Sequence, residues 1–419
     1  MDKYDVCIIG GGISGCACAY TASKLGLKTI LIEKNNYLGG LMTGGLVVPV
    51  MKNDSSNINI EFYSDLINYA KKYNAQIEYK DGNKGWFNPN ILKIVLDEML
   101  TDKNVEILFE ANPISVKYNQ NHVAGIEIST KILSLYIEAK YFLDSTGDSK
   151  IFQLLNEEFF EKNLKKQPAS LRFIMENINL DEFDKFLSEI DKDESVTNSY
   201  KINNQIHLTT ACTWDDKKWA LKPLFDKAVE QGELKPFDTA YFQLFTIPYA
   251  KKAIAFNCPR MADFDQNDPF ENSNAIIEAR KAIYRLSKFM TKNFKGFENA
   301  YISQIADMTG YRETNRIIAK KQFTIDDMLN KSMPKNPVLQ GDYPIDIHSN
   351  EKNSSKLIEV GKYYLEINSL ISKNYENLFA AGRNLGADSK AFGALRTQSS
   401  CMSMGEAVAK YIFEKINKN

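Results

Sequence analysis

The run YDVCIIGGGISG, residues 4–15, constrains this chain more than any other stretch. An apolar segment ends in Gly10, Gly12 and Gly15, the spacing G-x-G-x-x-G. CACAYTASKLG continues with helical character, and KTILIE, residues 28–33, reads as a second buried strand. Strand, glycine turn, helix and strand in that order predict a parallel βαβ unit whose turn binds a dinucleotide. Gly10 permits the tight turn, Gly12 lets backbone approach a pyrophosphate, and Gly15 lets the helix pack closely on the strand. The helix N-terminus offers the phosphates unsatisfied N–H groups and a favourable dipole. Glu33 stands eighteen residues beyond Gly15, close to the spacing of a carboxylate that holds a ribose hydroxyl.

The segment after Glu33 separates the kinds of dinucleotide. A simple NAD domain enters its next crossover here. This chain instead has NNYLGGLMTGGL, with the glycine pairs Gly39-Gly40 and Gly44-Gly45. Paired glycines let extended backbone pass close to a second, longer part of a cofactor. At this point the sequence resembles the glutathione-reductase-like family of FAD oxidoreductases, and the resemblance implies FAD. It implies that Gly39, Gly40 and Thr43 approach the pyrophosphate and the ribityl-flavin end, with Ile13, Ser14, Lys34 and Leu41 in the same shell. It places Ala111 and Pro113 against adenine. The strand end Asp144-Ser145-Thr146-Gly147-Asp148 matches the turn that closes the first half of the site, which adds Thr146, Gly147 and Asp148. Near the C-terminus, Gly382 and Arg383 follow the strand 378–381 and are implied at the ribityl chain. A helix through GEAVAKYIFEKI is implied to aim its N-terminus, with Ser403 and Met404, at the flavin pyrimidine carbonyl. That is sound physics, because negative charge grows there on reduction. YLGGLMTGGLVVPV, FNPNILKIVLDEML, GYRETNRI, YPIDIH and FGALRTQSSCMSMGEA together resemble one bacterial branch of FAD-dependent oxidoreductases across almost the whole chain. One departure is Asn368, where many relatives place an Arg before Ser-Leu.

The expected fold is α/β: a Rossmann-like FAD-binding domain, a parallel sheet carrying a β-meander, and a mixed-sheet substrate domain. The expected boundaries are 1–165 with 373–419 for the first and 166–372 for the second. Asn88-Pro89 predicts a capped helix with Ile91, Ile94, Val95 and Leu96 in its apolar stripe. NVEILFEANPISVKY and HVAGIEIS predict strands. In the second domain SLRFIMENI, YFQLFTIPY and KAIAFNCPR predict strands. NAIIEARKAIYRLSKFMTKNF predicts a helix with Ile276, Ile283, Leu286 and Met290 inward. The polar runs 191–205 and 346–356 read as loops.

Three histidines leave few proton carriers. His122 sits in a polar turn, and His207 is uninformative. His348 closes YPIDIH. As a strand, that run puts Asp346 and His348 on one face. A carboxylate-oriented imidazole titrating near neutral pH suits a proton shuttle, and the alternative is a structural Asp–His bond. Arg312 and Arg316 are four apart and on a helix would share a face, either gripping a substrate oxyanion or pairing with Glu313. Arg396 and Ser400 flank the last helix and are expected near the flavin. No Cys-x-x-Cys pair occurs, so neither a zinc ribbon nor a dithiol centre is signalled, and no metal is expected.

Lys+Arg of 52 against Asp+Glu of 53 argues against a nucleic-acid footprint. The absence of a membrane-length apolar run argues against insertion, and a cytoplasmic location is expected. The expected activity is hydride transfer between a small organic substrate and flavin N5. A single G-x-G-x-x-G unit points to an electron donor or acceptor other than a resident NAD(P)H domain. A redox-neutral flavin reaction such as isomerisation and a non-catalytic FAD-fold binding protein are the alternatives.

Overall fold

The computed structural model describes residues 3–53, 57–212, 219–348 and 355–418. β1 (Tyr4–Ile9), α1 (Ile13–Lys24) and β2 (Thr29–Ile32) form the predicted parallel unit. Val6, Cys7, Ile8 and Ile9 are almost wholly buried, as a central strand covered on both faces requires. α2 (Pro89–Thr101) leads into β3 (Glu106–Leu108), which adds in parallel beside β2. β4 (Asn112–Asn119), β5 (His122–Ser129) and β6 (Ser134–Asp144) are the meander. Its last strand returns to pair in parallel with β1. The order is β3-β2-β1-β6-β5-β4, and the strand Leu378–Ala380 joins β6 from the far end of the chain.

Asn88 caps α2 as expected, its side chain accepting from Asn90 N and Ile91 N. The buried stripe is Leu92, Val95, Leu96, Met99 and Leu100. Ile94, expected inward, is half exposed, one residue off the true stripe.

The second sheet holds β7 (Phe173–Glu176), β8 (Thr197–Ile202), β9 (Gln205–Cys212), β10 (Phe242–Thr246), β11 (Ile254–Phe256) and β12 (Tyr301–Ile305). Its order is β8-β9-β10-β11-β7-β12. Every pairing is antiparallel, a more uniform sheet than the mixed one expected. The run 191–205, read as a loop, contains β8: Asn203 and Asn204 take positive φ and turn the hairpin. α3 (Pro269–Asn293) packs on this sheet through Ile283, Leu286 and Met290, with Ile276 partly buried.

β13 (Ile345–His348) pairs antiparallel with β14 (Ser355–Ile358), so the ends of the second polar run are strands. Its centre, 349–354, lies outside the described residues. Apolar side chains from Phe323 to Ile371, within the span assigned to the substrate domain, share one core with α1 and α2. Between Gly382 and the last helix lies α4 (Ser389–Leu395), and α5 (Gln398–Lys418) starts seven residues before Gly405. Gly405 looks like a helix start in sequence. It serves close packing instead: a Cβ there would collide with Ser14 O of α1.

Candidate active site

A single cavity of about 730 Å³ runs from the β1–α1 turn to the face of the antiparallel sheet. At the β1 end, Gly10 has φ +104°, and a Cβ would sit 2.6 Å from Ser145 backbone. Gly15 is held against Gly10 O and does not line the cavity. Gly12 differs: a Cβ there meets nothing nearer than Ser145 O at 3.8 Å, so that side is open space. Gly12 is the N-cap of α1 and supplies no capping side chain. The first-turn N–H groups therefore face the cavity without a side-chain acceptor. The strap with the paired glycines docks directly on this turn. Gly39 N donates to Gly11 O at 2.8 Å, and Gly12 and Gly39 form a parallel bridge. Gly39 and Gly40 have φ of +90° and +54°, which is the freedom the pair provides.

Glu33 is buried, accepting from Gly11 N at 2.6 Å and from Asn35 N and Nδ2 at 2.8 and 2.7 Å. Its carboxylate lines the cavity beside Lys34, Ala111 and Pro113. Ile13, Ser14, Leu41, Thr146, Gly147, Asp148, Gly382 and Arg383 also line it. Asp144 organises their turn, accepting from Thr146 N and Oγ1 and from Ile151 N. Burial pushes that carboxyl up to about 6. Three expected contacts are not on the wall. Thr43 is fully buried and bonds the carbonyls of Leu38 and Gly40, bracing the strap. Ser403 and Met404 are buried inside α5, because the helix starts at Gln398 and carries them past the opening. Thr397, Gln398 and Cys401 occupy that end instead.

The donor set fits a long dinucleotide. Open backbone at Gly12, uncapped α1, buried Glu33 and the Gly382 turn are what a flavin dinucleotide needs, and Gly40 packs its Cα face on Gly12 to bring the strap against that turn. The sequence pattern of the FAD dependent oxidoreductase family matches residues 5–416. The chain belongs to this family. This FAD-dependent oxidoreductase is 30% identical over 160 residues to a thiamine thiazole synthase of Pyrococcus horikoshii, covering 35% of the chain and 58% of that protein. It is 37% identical over 68 residues to a mitochondrial glycerol-3-phosphate dehydrogenase of Rattus norvegicus, covering 15% and 9%. The chain thus spans less than two thirds of these relatives. In fold it is similar to a halogenase crystallised with FAD (TM-score 0.50, 11% identity, covering 100% of this chain and 71% of that one). A flavin-dependent brominase is similar at the same TM-score and identity, with 99% and 81% covered. FAD is the cofactor.

The far wall of the oxidoreductase's cavity is polar and cationic. Arg172, Tyr241, Gln243, Asn257, Arg312, Tyr343, Asp346, His348 and Arg396 line it. β13 brings Asp346 and His348 onto one face as expected, with His348 Nε2 3.3 Å from Asp346 Oδ2. Arg260 Nη2 lies 3.0 Å from His348 Nδ1. A guanidinium only donates, so Nδ1 accepts and Nε2 carries the proton toward Asp346. Asp346 also accepts from Arg396 Nη2, through its Oδ2 at 3.2 Å and its carbonyl at 3.0 Å. Burial and then the Arg312 charge push the His348 pKa down to about 3, against the pull of Asp346. Burial would raise Asp346, but the His348 bond and the Arg396 charge hold it well below the usual carboxylate range. Burial and the surrounding guanidiniums thus work against a ring that titrates near neutral pH, in spite of Asp346.

Arg312 and Arg316 do not share a helix. Residues 311–315 are extended and irregular with one bend at Arg312, since Gly310 bridges Ser170 and Arg316 enters a strand with Phe160. Arg316 is fully buried, donating to Glu313 Oε1 at 2.6 Å and Glu161 Oε2 at 2.5 Å. Arg312 alone reaches the cavity, donating to Pro168 O at 2.6 Å. Asn368 is exposed beside Glu366, away from the wall, so the departure there does not touch the site. Sequence reasoning missed Arg172, Tyr241, Gln243, Asn257 and Tyr343. The signal for the first was present: one arginine inside the apolar strand SLRFIM has to point at something polar. Among the described residues no cluster of potential metal ligands occurs, and no helix is long and apolar enough to cross a membrane.

Proposed function

We propose that this flavoenzyme passes a hydride between a small organic substrate and N5 of FAD, with substrate bound between the flavin and the antiparallel sheet. The observation that carries it is the continuity of one cavity from Gly12 to Tyr343 and Arg312. FAD, when bound, supplies the two-electron chemistry. The chain's own residues do the rest. Gly12, Gly40 and the α1 amides would hold the phosphates and Glu33 the ribose, and Gly382 and Arg383 line the passage toward the sheet. Arg312 orients the substrate. Asp346 and His348 are positioning residues: both imidazole nitrogens are engaged, so the pair holds Arg396 and Arg260 rather than carrying the reaction's proton. A division into cofactor and substrate halves belongs to this proposal, with the stretch from Phe323 to Ile371 packing in the core of the cofactor half rather than in the substrate half as expected, and so does the glutathione-reductase-like character of the first half. Anaerobic photoreduction of the FAD-loaded protein, followed by addition of small metabolites, tests it. Expected is reoxidation of the flavin by at least one of them, or reduction of oxidised flavin by its partner. Turnover that requires reduced flavin without ever reoxidising it would replace the reading with a redox-neutral one.

A further inference from the structure

We infer that the substrate of this site carries a carboxylate, held by Arg172 and Arg312. The inference rests on the proposed function for calling the ligand a substrate, and on the cavity's own charge for its chemistry. Arg172, Arg312 and Arg396 line the far wall, and Arg260 stands behind it, 5.0 Å from the Tyr241 ring over which Arg312 also lies at 5.6 Å. The acids nearby are already engaged. Asp346 takes His348 and Arg396, and Glu313 takes Arg316. Arg172 and Arg312 have no carboxylate partner among the described residues, and Arg172 Nε is buried without a hydrogen-bond acceptor. Arg312 spends one N–H on Pro168 O. Arg312 is buried and Arg172 half-buried with its Nε enclosed, and desolvation lowers their pKa to about 9 and about 10.

A guanidinium kept away from water without an anion is costly, and each of these has a planar fork of donors left over. Carboxylate matches that fork with two parallel N–H···O bonds. Position supports the pairing as well. Ser170 and Gly310 exchange backbone bonds, so Arg172 and Arg312 extend from two adjoining strands of chain onto one wall. A Cβ on Gly310 would sit 2.8 Å from Arg172 Nη1, so glycine is what leaves the guanidinium its place. Asn257 adds a neutral group: its Nδ2 contacts Gln243 Oε1 at 3.2 Å, while its buried Oδ1 has no donor. That oxygen accepts from a hydroxyl or amino group beside the carboxylate.

The test is calorimetric titration of FAD-loaded protein with acetate, succinate and benzoate. Acetamide, succinamide and benzamide serve as uncharged counterparts, and sulfate and phosphate as other oxyanions. Expected is saturable binding of at least one carboxylate, with a shift of the flavin absorption bands, and at least about tenfold weaker binding of its amide. Arg172→Lys and Arg312→Lys keep the charge and lose the fork, and each is expected to weaken that carboxylate by about 10–100-fold with FAD content unchanged. Equal binding of acid and amide, no binding of any carboxylate, or tighter binding of sulfate or phosphate would overturn the inference. The wild-type comparison stands without either variant folding. A protein that holds no FAD, by contrast, sinks the proposed function and is seen before any anion is added.

Discussion

The three fingerprint glycines do different jobs, and single substitutions should separate them. Gly12 has φ −64° and ψ 172°, open to any residue, and free space beyond its Cα. Gly12→Val should therefore fold with a near-normal melting temperature and bind no FAD, read from flavin released on acid precipitation. A Gly12→Val protein with full FAD content would refute the pyrophosphate placement. Gly10→Ala and Gly15→Ala should fail earlier, as unstable protein, because their Cβ atoms would strike backbone. Histidine gives a second residue-level prediction. Burial pushes His207 down to about 4 and His348 to about 3. Below pH 6.5 the unfolded chain takes up protons that the folded one refuses, so stability falls as pH drops through that window. Asp144, raised to about 6, works the other way between pH 6 and about 4. From pH 7.5 to 5 each histidine costs about 2 kcal/mol and Asp144 returns about 1.4, a net loss of about 2–3 kcal/mol. Denaturant unfolding at the two values measures it, and stability that is flat or rising toward pH 5 would contradict the buried neutral imidazoles. His207→Gln should flatten the slope whatever it does to the absolute value.

Among elements, the helix pair α1 and α5 is the most exacting contact. Gly405 sits where Ser14 O leaves no room for a methyl group. Overpacking of that kind costs about 1–3 kcal/mol or more, and here it displaces the first turn of α1. Gly405→Ala should lower the melting temperature and FAD affinity together, and loss of one without the other would uncouple the helix contact from the cofactor turn. This contact also shows what could be read in advance. The β1–α1–β2 unit, the Asn88 cap, the meander and the Asp144–Asp148 turn were legible because each depends on local spacing. The start of α5 was not, because a glycine inside a helix and a glycine before one look alike until the partner helix is known. Arg312 and Arg316 looked like one helix face because four-residue spacing carries that meaning only where the backbone is helical. Gly310, bridged to Ser170, makes it otherwise. The titration of His348 was unreadable for a related reason: its burial and the Arg312 charge come from distant elements, as does the Arg260 donor that fixes the tautomer.

Over the whole molecule, one G-x-G-x-x-G unit and two sheets frame one cavity. NADH and NADPH at micromolar concentration should reduce the bound flavin only slowly, and stopped-flow reduction within milliseconds would show that a nicotinamide ring enters the cavity directly. The cofactor half is also divided in time as well as in sequence. Leu378–Ala380 completes the sheet beside β6, Gly382 and Gln398 complete the cavity, and α5 covers α1. During synthesis about 230 residues separate Asp148 from Leu378, which at ribosomal speed is about 10–50 s. Throughout that interval the nascent chain carries β1, α1 and β2 without the strand and helix that cover them. Flavin capture therefore has to wait for the segment that carries Gly382 and α5, and until it arrives the apolar face of α1 lacks its covering helix.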